Sequence, residues 1–252
     1  MGIAKHIVTQ DYHVHTTLSV CALKEMTVQN IVRRAERIGY RLLGISDHLG
    51  GYNTPADLRG LTPQLTEIET DVELFLGCEM CVKLSGEPVF PAEEVAFLDY
   101  VMVAMCHVIG DLPPLKDDPK AWLDGWAGRL DGAIACDDRI NILAHPLRTL
   151  GGYYEGKPLM LHLPSARWEE LFRGMAERGI AMEMCGVMEN YPTVYDAVRV
   201  VHRIAHEQGV KFTASSDAHG LDRMGFQCTN IRLAEDLGLT PEDFWTPTRS
   251  AK

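Results

Sequence analysis

The sequence predicts an α/β barrel of about seven strands, with an open doubly wound sheet as the alternative. Three observations predict it. Seven short apolar runs recur along the chain, helix-period stretches separate most of them, and metal-type ligands stand at their ends. Each run is four to seven residues long and rich in Val, Ile, Leu, Met or Phe. Such runs fit strands buried on both faces, as in a parallel sheet. Parallel strands joined by helices close into a barrel or wind into an open sheet.

The elements follow in order. The first two runs are His6–Tyr12 and Arg41–Ser46. Between them Thr27 is placed to cap a helix with apolar Val28, Ile31, Val32, Ala35 and Ile38, ended by Gly39. Thr62-Pro63 opens a second helix, with Pro at the first helical position. The third and fourth runs are Glu73–Gly77 and Tyr100–Met105. The stretch from Glu79 to Tyr100 has no good helical pattern and reads as a hairpin or irregular excursion. Pro119 to Ala135 reads as helix although Gly125, Gly128 and Gly132 interrupt it. Ile140–Ala144 is the fifth run. Ser165 starts a helix carrying Trp168, Leu171, Phe172 and Met175 and stopping at Gly179. Ile180–Met184 is the sixth run. Thr193 starts a helix through Val194, Ala197, Val198, Val201, Ile204 and Ala205, stopping at Gly209. Lys211–Ala214 is the last run. No linker-like stretch splits the chain, so 1–252 reads as one domain.

Composition narrows the function. Of 252 residues, 46% are apolar and 23% charged, ordinary values that exclude disorder as the main state. No apolar run approaches the roughly 18 residues of a membrane span, and the N-terminus has no signal-peptide core. The net charge of −11 disfavours long nucleic acid as a partner. Seven cysteines, an odd number, give no disulfide scaffold and point to a reducing, cytoplasmic compartment. No G-x-G-x-x-G follows the first run and no GxxxxGK[ST] occurs, so the usual nucleotide cofactors are unsupported.

Ligand-type residues cluster at the ends of the runs. The sequence carries Asp11-Tyr12-His13-Val14-His15, Ser46-Asp47-His48, Gly77-Cys78-Glu79, Met105-Cys106-His107, Ala144-His145-Pro146, Glu183-Met184-Cys185 and Ser215-Ser216-Asp217-Ala218-His219. Parallel barrel strands gather their C-terminal ends on one rim, where active sites form. Residues two apart on a strand point the same way, so both imidazoles of H-x-H reach one metal. Imidazole with carboxylate suits zinc, iron or manganese. One such residue alone reads as a loop residue; the whole series reads as a shared metal site. His202 and His206, four apart on a helix, read as a solvated polar face. His6 reads as the start of a strand at the opposite rim, and His162 as a loop residue. Cys78 and Cys106 each precede a ligand, and strand alternation turns them into the core.

The series HVH, SDH, GCE, MCH, AHP and SDAH resembles the PHP family, the polymerase and histidinol phosphatase domain, from Asp11 to His219. The resemblance implies a distorted (β/α)7 TIM-like barrel with two or three divalent metal ions (Zn, Mn or Fe). It implies hydrolysis of a small phosphate ester by a metal-bound hydroxide. By matching motif, His13, His15, Glu79 and Asp217 hold one metal. Glu79 bridges to a second, held also by His107 and His145. His48 and His219 hold a third. Members with three metals have a further His eight residues after the first motif His, where this sequence has Cys21, whose thiolate can also bind zinc. The runner-up is the amidohydrolases, which lack the SDH, the Glu and the final D-x-H; a catalytically inert relative is a third reading.

Four further residues are candidates for catalytic roles. Asp47 and Glu183 are placed to orient ligand imidazoles. Arg148 and Arg223 follow ligands in rim loops and suit bidentate phosphate binding. The long loop Leu147–Pro164 is placed to cover the site. Histidinol phosphate, a nucleotide monophosphate or another small phosphoester fits as substrate.

Overall fold

Seven parallel strands form the wall in the computed structural model, which describes residues 2–112, 114–136, 138–185 and 191–248. They are β1 (Gln10–Val14), β2 (Leu42–Ile45), β3 (Glu73–Lys83), β4 (Tyr100–Ile109), β5 (Ile142–Leu143), β6 (Ala181–Cys185) and β7 (Phe212–Ser215). Each pairs with the next in the chain, and a two-residue strand, His48–Leu49, adds to β3. The first and last strands meet through a parallel bridge between Val14 and Ala218. There the His15 amide donates to the Ala218 carbonyl at 3.0 Å and the Ala218 amide to the His13 carbonyl at 3.2 Å. This seam decides for the barrel over the open sheet.

Asp11 reinforces the seam. Its Oδ1 accepts from the backbone amides of His13 and Ser216, both at 3.1 Å, and its Oδ2 accepts from the Tyr40 hydroxyl at 3.0 Å. Complete burial pushes the carboxyl up to about 6 against these bonds.

Helices cover the outside. The longer ones are α1 (Val28–Ile38), α2 (Pro119–Ala135), α3 (Ser165–Arg178), α4 (Tyr191–Glu207) and α5 (Cys228–Leu237), and Pro55–Arg59 and Thr62–Glu67 are short helices between β2 and β3. Thr27 caps α1 by accepting from the Asn30 amide, and Gly39 ends it at φ 83°, a left-handed conformation that Gly adopts without penalty. Apolar residues such as Ile31, Trp126, Phe172 and Val201 fill the layer between helices and strands. Tyr12, Phe75, Tyr100, Met102 and Ile142 form a separate cluster made from strand residues, which plugs the barrel interior. Gly44 and Gly77 make room for it: a methyl group at either would overlap the Tyr100 side chain. The Tyr100 hydroxyl donates to the Tyr12 carbonyl at 2.5 Å.

Several boundaries differ from expectation. Ile3–Ile7 is helical and β1 starts only at Gln10, so His6 lies on a helical turn, its ring against Phe244. The third and fourth strands run on to Lys83 and Ile109, so Glu79 and His107 lie inside strands. A hairpin follows β3, with Lys83 donating to Glu87 and Val89 to Cys81. Helix α4 begins at Tyr191, two residues before Thr193. His202 is buried on this helix, not solvated: its Nδ1 donates to the Val198 carbonyl and its ring stacks on Phe212. The apolar stripe of α4 is wide enough to take the imidazole inside. No helix among the described residues is long and apolar enough to cross a membrane. The six cysteines described are free of disulfides.

Candidate metal centre

Strand β1 brings His13 and the following His15 to one place, with ring centres 4.9 Å apart. The His13 Nδ1 donates to Glu183 Oε1 at 2.8 Å. Its Nε2 is then the inward atom, 3.4 Å from both Glu79 Oε2 and Asp217 Oδ1. His15 is oriented through a hydroxyl. Ser19 Oγ donates to Asp47 Oδ1 at 2.7 Å, so it accepts from His15 Nδ1 at 3.1 Å. That leaves His15 Nε2 facing Asp217 Oδ1 at 3.1 Å.

Glu79 is the hub. Its Oε1 lies 2.7 Å from His145 Nε2 and 3.3 Å from His107 Nδ1. Its Oε2 lies 2.9 Å from His48 Nδ1. His13, His15 and Glu79 form one group whose ligand atoms all lie within 4.8 Å of one another; His15, His48 and His219 form a second, and His48, Glu79 and His107 a third. The buried Nε2 of His13 and Oε2 of Glu79 have no hydrogen-bond partner. Buried polar atoms are seldom left so, and unpaired lone pairs aimed at one point suit a cation. The residues therefore fit divalent metal ions.

The electrostatics agree. Burial opposes a charge on His13, but Glu183, Asp217 and Glu79 outweigh it and hold the ring well above its usual range. His145 is raised likewise, mainly by Glu79. Glu79 and Asp217 are held low by the surrounding imidazoles despite burial. Burial drives His15 the other way, down to about 3. A metal ion in their midst would replace the protons that otherwise balance the carboxylates.

Two of these residues have positive backbone φ, His145 at 26° and Asp217 at 52°. Such conformations are uncommon outside glycine and gather at functional sites.

The chain shares the fold of a solved histidinol phosphate phosphatase. That protein, from Lactococcus lactis, was solved with zinc, L-histidinol and phosphate; the two match with TM-score 0.68 and 18% identity over 92% of this chain and 94% of that one. A Listeria monocytogenes protein provisionally named a histidinol phosphatase matches with TM-score 0.63 and 13% identity, over 88% of this chain and 99% of its own. No protein-family model matches the sequence, and no curated protein matches it. The likeness to the histidinol phosphatases confirms the α/β TIM-like barrel.

The remaining candidates fall into place on that barrel. The Asp47 carboxylate binds Thr16 and Ser19 through their amides and hydroxyls, which pins the loop after β1, and its backbone carbonyl accepts from the Glu79 amide at 3.0 Å. Glu183 spans two ligands, since its Oε2 accepts from the His145 amide at 2.6 Å. Arg148 donates to Asp217 Oδ2 at 2.7 Å and is 43% exposed, so it stands at the mouth. His219 stacks on His15 with ring centres 4.1 Å apart. Arg223 is exposed in the loop after β7. Cys21 is exposed and belongs to none of the three ligand groups; burial and the facing carboxylates Asp217, Glu79 and Asp47 push its thiol up. His162 binds the Tyr154 carbonyl inside its own loop, which folds as a small hairpin, Tyr153–Tyr154 against Lys157–Pro158.

Cys78 is buried in the core as expected. Cys106 is not confined there: it is only partly buried, and the neighbouring His107 and His145 lower its thiol to about 6 against the effect of burial. The cause is a bulge. Met80 pairs with Val103 but Val82 with Val108, so β4 carries extra residues there and strict alternation fails. Cys106 and Ser19 are the site residues that sequence reasoning missed. A bulge leaves no periodic signal, and a serine in a polar loop resembles any other.

Proposed function

We propose that this chain is a metal-dependent phosphoesterase of the PHP family that hydrolyses a small phosphate ester. The observation that carries the reading is the buried Glu79 carboxylate, ringed by His13, His15, His48, His107 and His145. It sits in a fold shared with a phosphatase that holds zinc and phosphate.

In this proposal His13, His15, Glu79 and Asp217 hold one ion, and Glu79, His107 and His145 a second. His48 and His219 hold a third, with Cys21 as the candidate to complete it. Zinc, manganese and iron all suit the donors. When bound, such ions supply Lewis acidity toward phosphoryl oxygens and make water a usable nucleophile at neutral pH.

The chain's own residues do the rest. Glu183 fixes the His13 ring and the His145 backbone. Asp47, through Ser19, fixes His15. Arg148, released from Asp217, is placed to clamp a substrate phosphate with its planar guanidinium, and Arg223 lies in the same set of loops. A monoester such as histidinol phosphate is the first substrate to try, by analogy with the Lactococcus lactis protein.

The test is a panel of phosphomonoesters, phosphodiesters, cyclic amides and lactones, offered to protein reconstituted with Zn²⁺ or Mn²⁺. Turnover of phosphoesters alone, abolished by a chelator and restored by metal, is expected. Turnover of amides or lactones with no phosphoester cleaved would overturn the reading.

A further inference from the structure

We propose that His202 and Glu183 hold one internal water molecule between them, and that His202 is thereby a positioning residue for the metal centre. The inference rests on the reading of that centre given above, but starts from a different place. A small cavity of about 10 Å³ lies behind the ligands, lined by His145, Arg148, Glu183, Met184, His202 and Asn230 among others. That is about the least volume that accommodates a water.

The His202 ring shows what the cavity requires. Its Nδ1 donates to the Val198 carbonyl at 2.9 Å, so its Nε2 carries a lone pair. That Nε2 is buried and has no hydrogen-bond partner. The ring stacks on Phe212, with centres 5.9 Å apart and planes 23° apart, which restrains it from turning toward another donor. Burial also keeps the ring neutral, with its pKa lowered to about 4. A neutral acceptor lining a water-sized cavity calls for a donor, and a water there has a second hydrogen to give.

Glu183 receives the second hydrogen. Each of its oxygens already accepts one bond, Oε1 from His13 and Oε2 from the His145 amide. A carboxylate oxygen has a second lone pair, so either can accept from water as well. The water would tie the middle of α4 to the carboxylate that aims His13 and supports the His145 backbone at its positive φ. Partners of this outer kind typically change metal affinity by 10–100-fold.

A crystal structure at high resolution and a His202→Phe variant test this together. The wild-type structure should show one water within hydrogen-bond distance of His202 Nε2 and a Glu183 oxygen. His202→Phe keeps the stacked ring and removes the acceptor; Zn²⁺ affinity, measured by chelator competition, should fall about tenfold. His202→Gln, which can offer an acceptor, should recover part of that loss. A dry cavity in the wild-type structure overturns the proposal, as does a folded His202→Phe protein with unchanged Zn²⁺ affinity. Should the Phe variant not fold, the wild-type cavity still decides. A wild-type protein that binds no Zn²⁺ overturns the metal reading and with it the positioning role; a water found in that same protein would leave only the His202–Glu183 water standing.

Discussion

Glu79 gathers five imidazoles around one buried carboxylate, so single substitutions there should act on metal and activity together. Glu79→Ala or His13→Ala is expected to lower metal content by at least one ion per chain, by elemental analysis. Hydrolysis should fall by more than about 100-fold, the upper range seen even for outer partners. Full metal content with lost activity would put the metals elsewhere. Cys21→Ser is the sharper test of a third ion. If the thiolate is a ligand, one ion per chain is lost or weakened and the pair around Glu79 stays; unchanged metal content and geometry remove Cys21 from the set. Most of the centre was legible because histidines and acids recurring at run ends are rare by chance. What stayed hidden depends on local geometry. Whether Cys106 faces in or out is set by the β4 bulge, and the role of Ser19 by a loop that Asp47 shapes from another strand.

At the level of the strands, the hydrophobic runs marked every barrel strand, since buried parallel strands need continuous apolar stretches. Their ends were harder to place. β1 begins late because Ile3–Ile7, equally apolar, spends its residues on a helical turn. β3 and β4 extend beyond their apolar runs because they pair with each other past the barrel rim, Lys83 with Ile109. The tightest constraint lies in the barrel interior, where Tyr100 occupies the space above two glycines. Gly77→Ala should destabilise the protein by about 1–3 kcal/mol, the usual cost of overpacking. The deficit should shrink in the double variant Gly77→Ala with Tyr100→Leu, because the two sites share one volume. Equal and additive losses, measured by urea unfolding, would show that the interior has room to adjust.

For the molecule as a whole, three of the proposed metal ligands, His13, His15 and Asp217, lie in or next to the barrel seam. The bridge that joins first strand to last is made by the amides and carbonyls of His13, His15 and Ala218, while the side chains of His13, His15 and Asp217 converge just inside it. Stripped of metal, this seam relies on a handful of backbone bonds and the Asp11 carboxylate. With an ion present, ligands from both sides of the join are coordinated to one centre, and the ion works as a buckle on a belt. Occupancy of the site should then be readable far from catalysis. In amide hydrogen exchange, removing metal should speed exchange most in Gln10–Val14 and Phe212–Ser215, and least in β3 and β4, whose pairing is long and remote from the join. Uniform acceleration around the barrel would mean that the ion steadies the fold without fastening it. If the buckle holds, metal supply sets not only how fast this protein works but whether its cylinder stays shut.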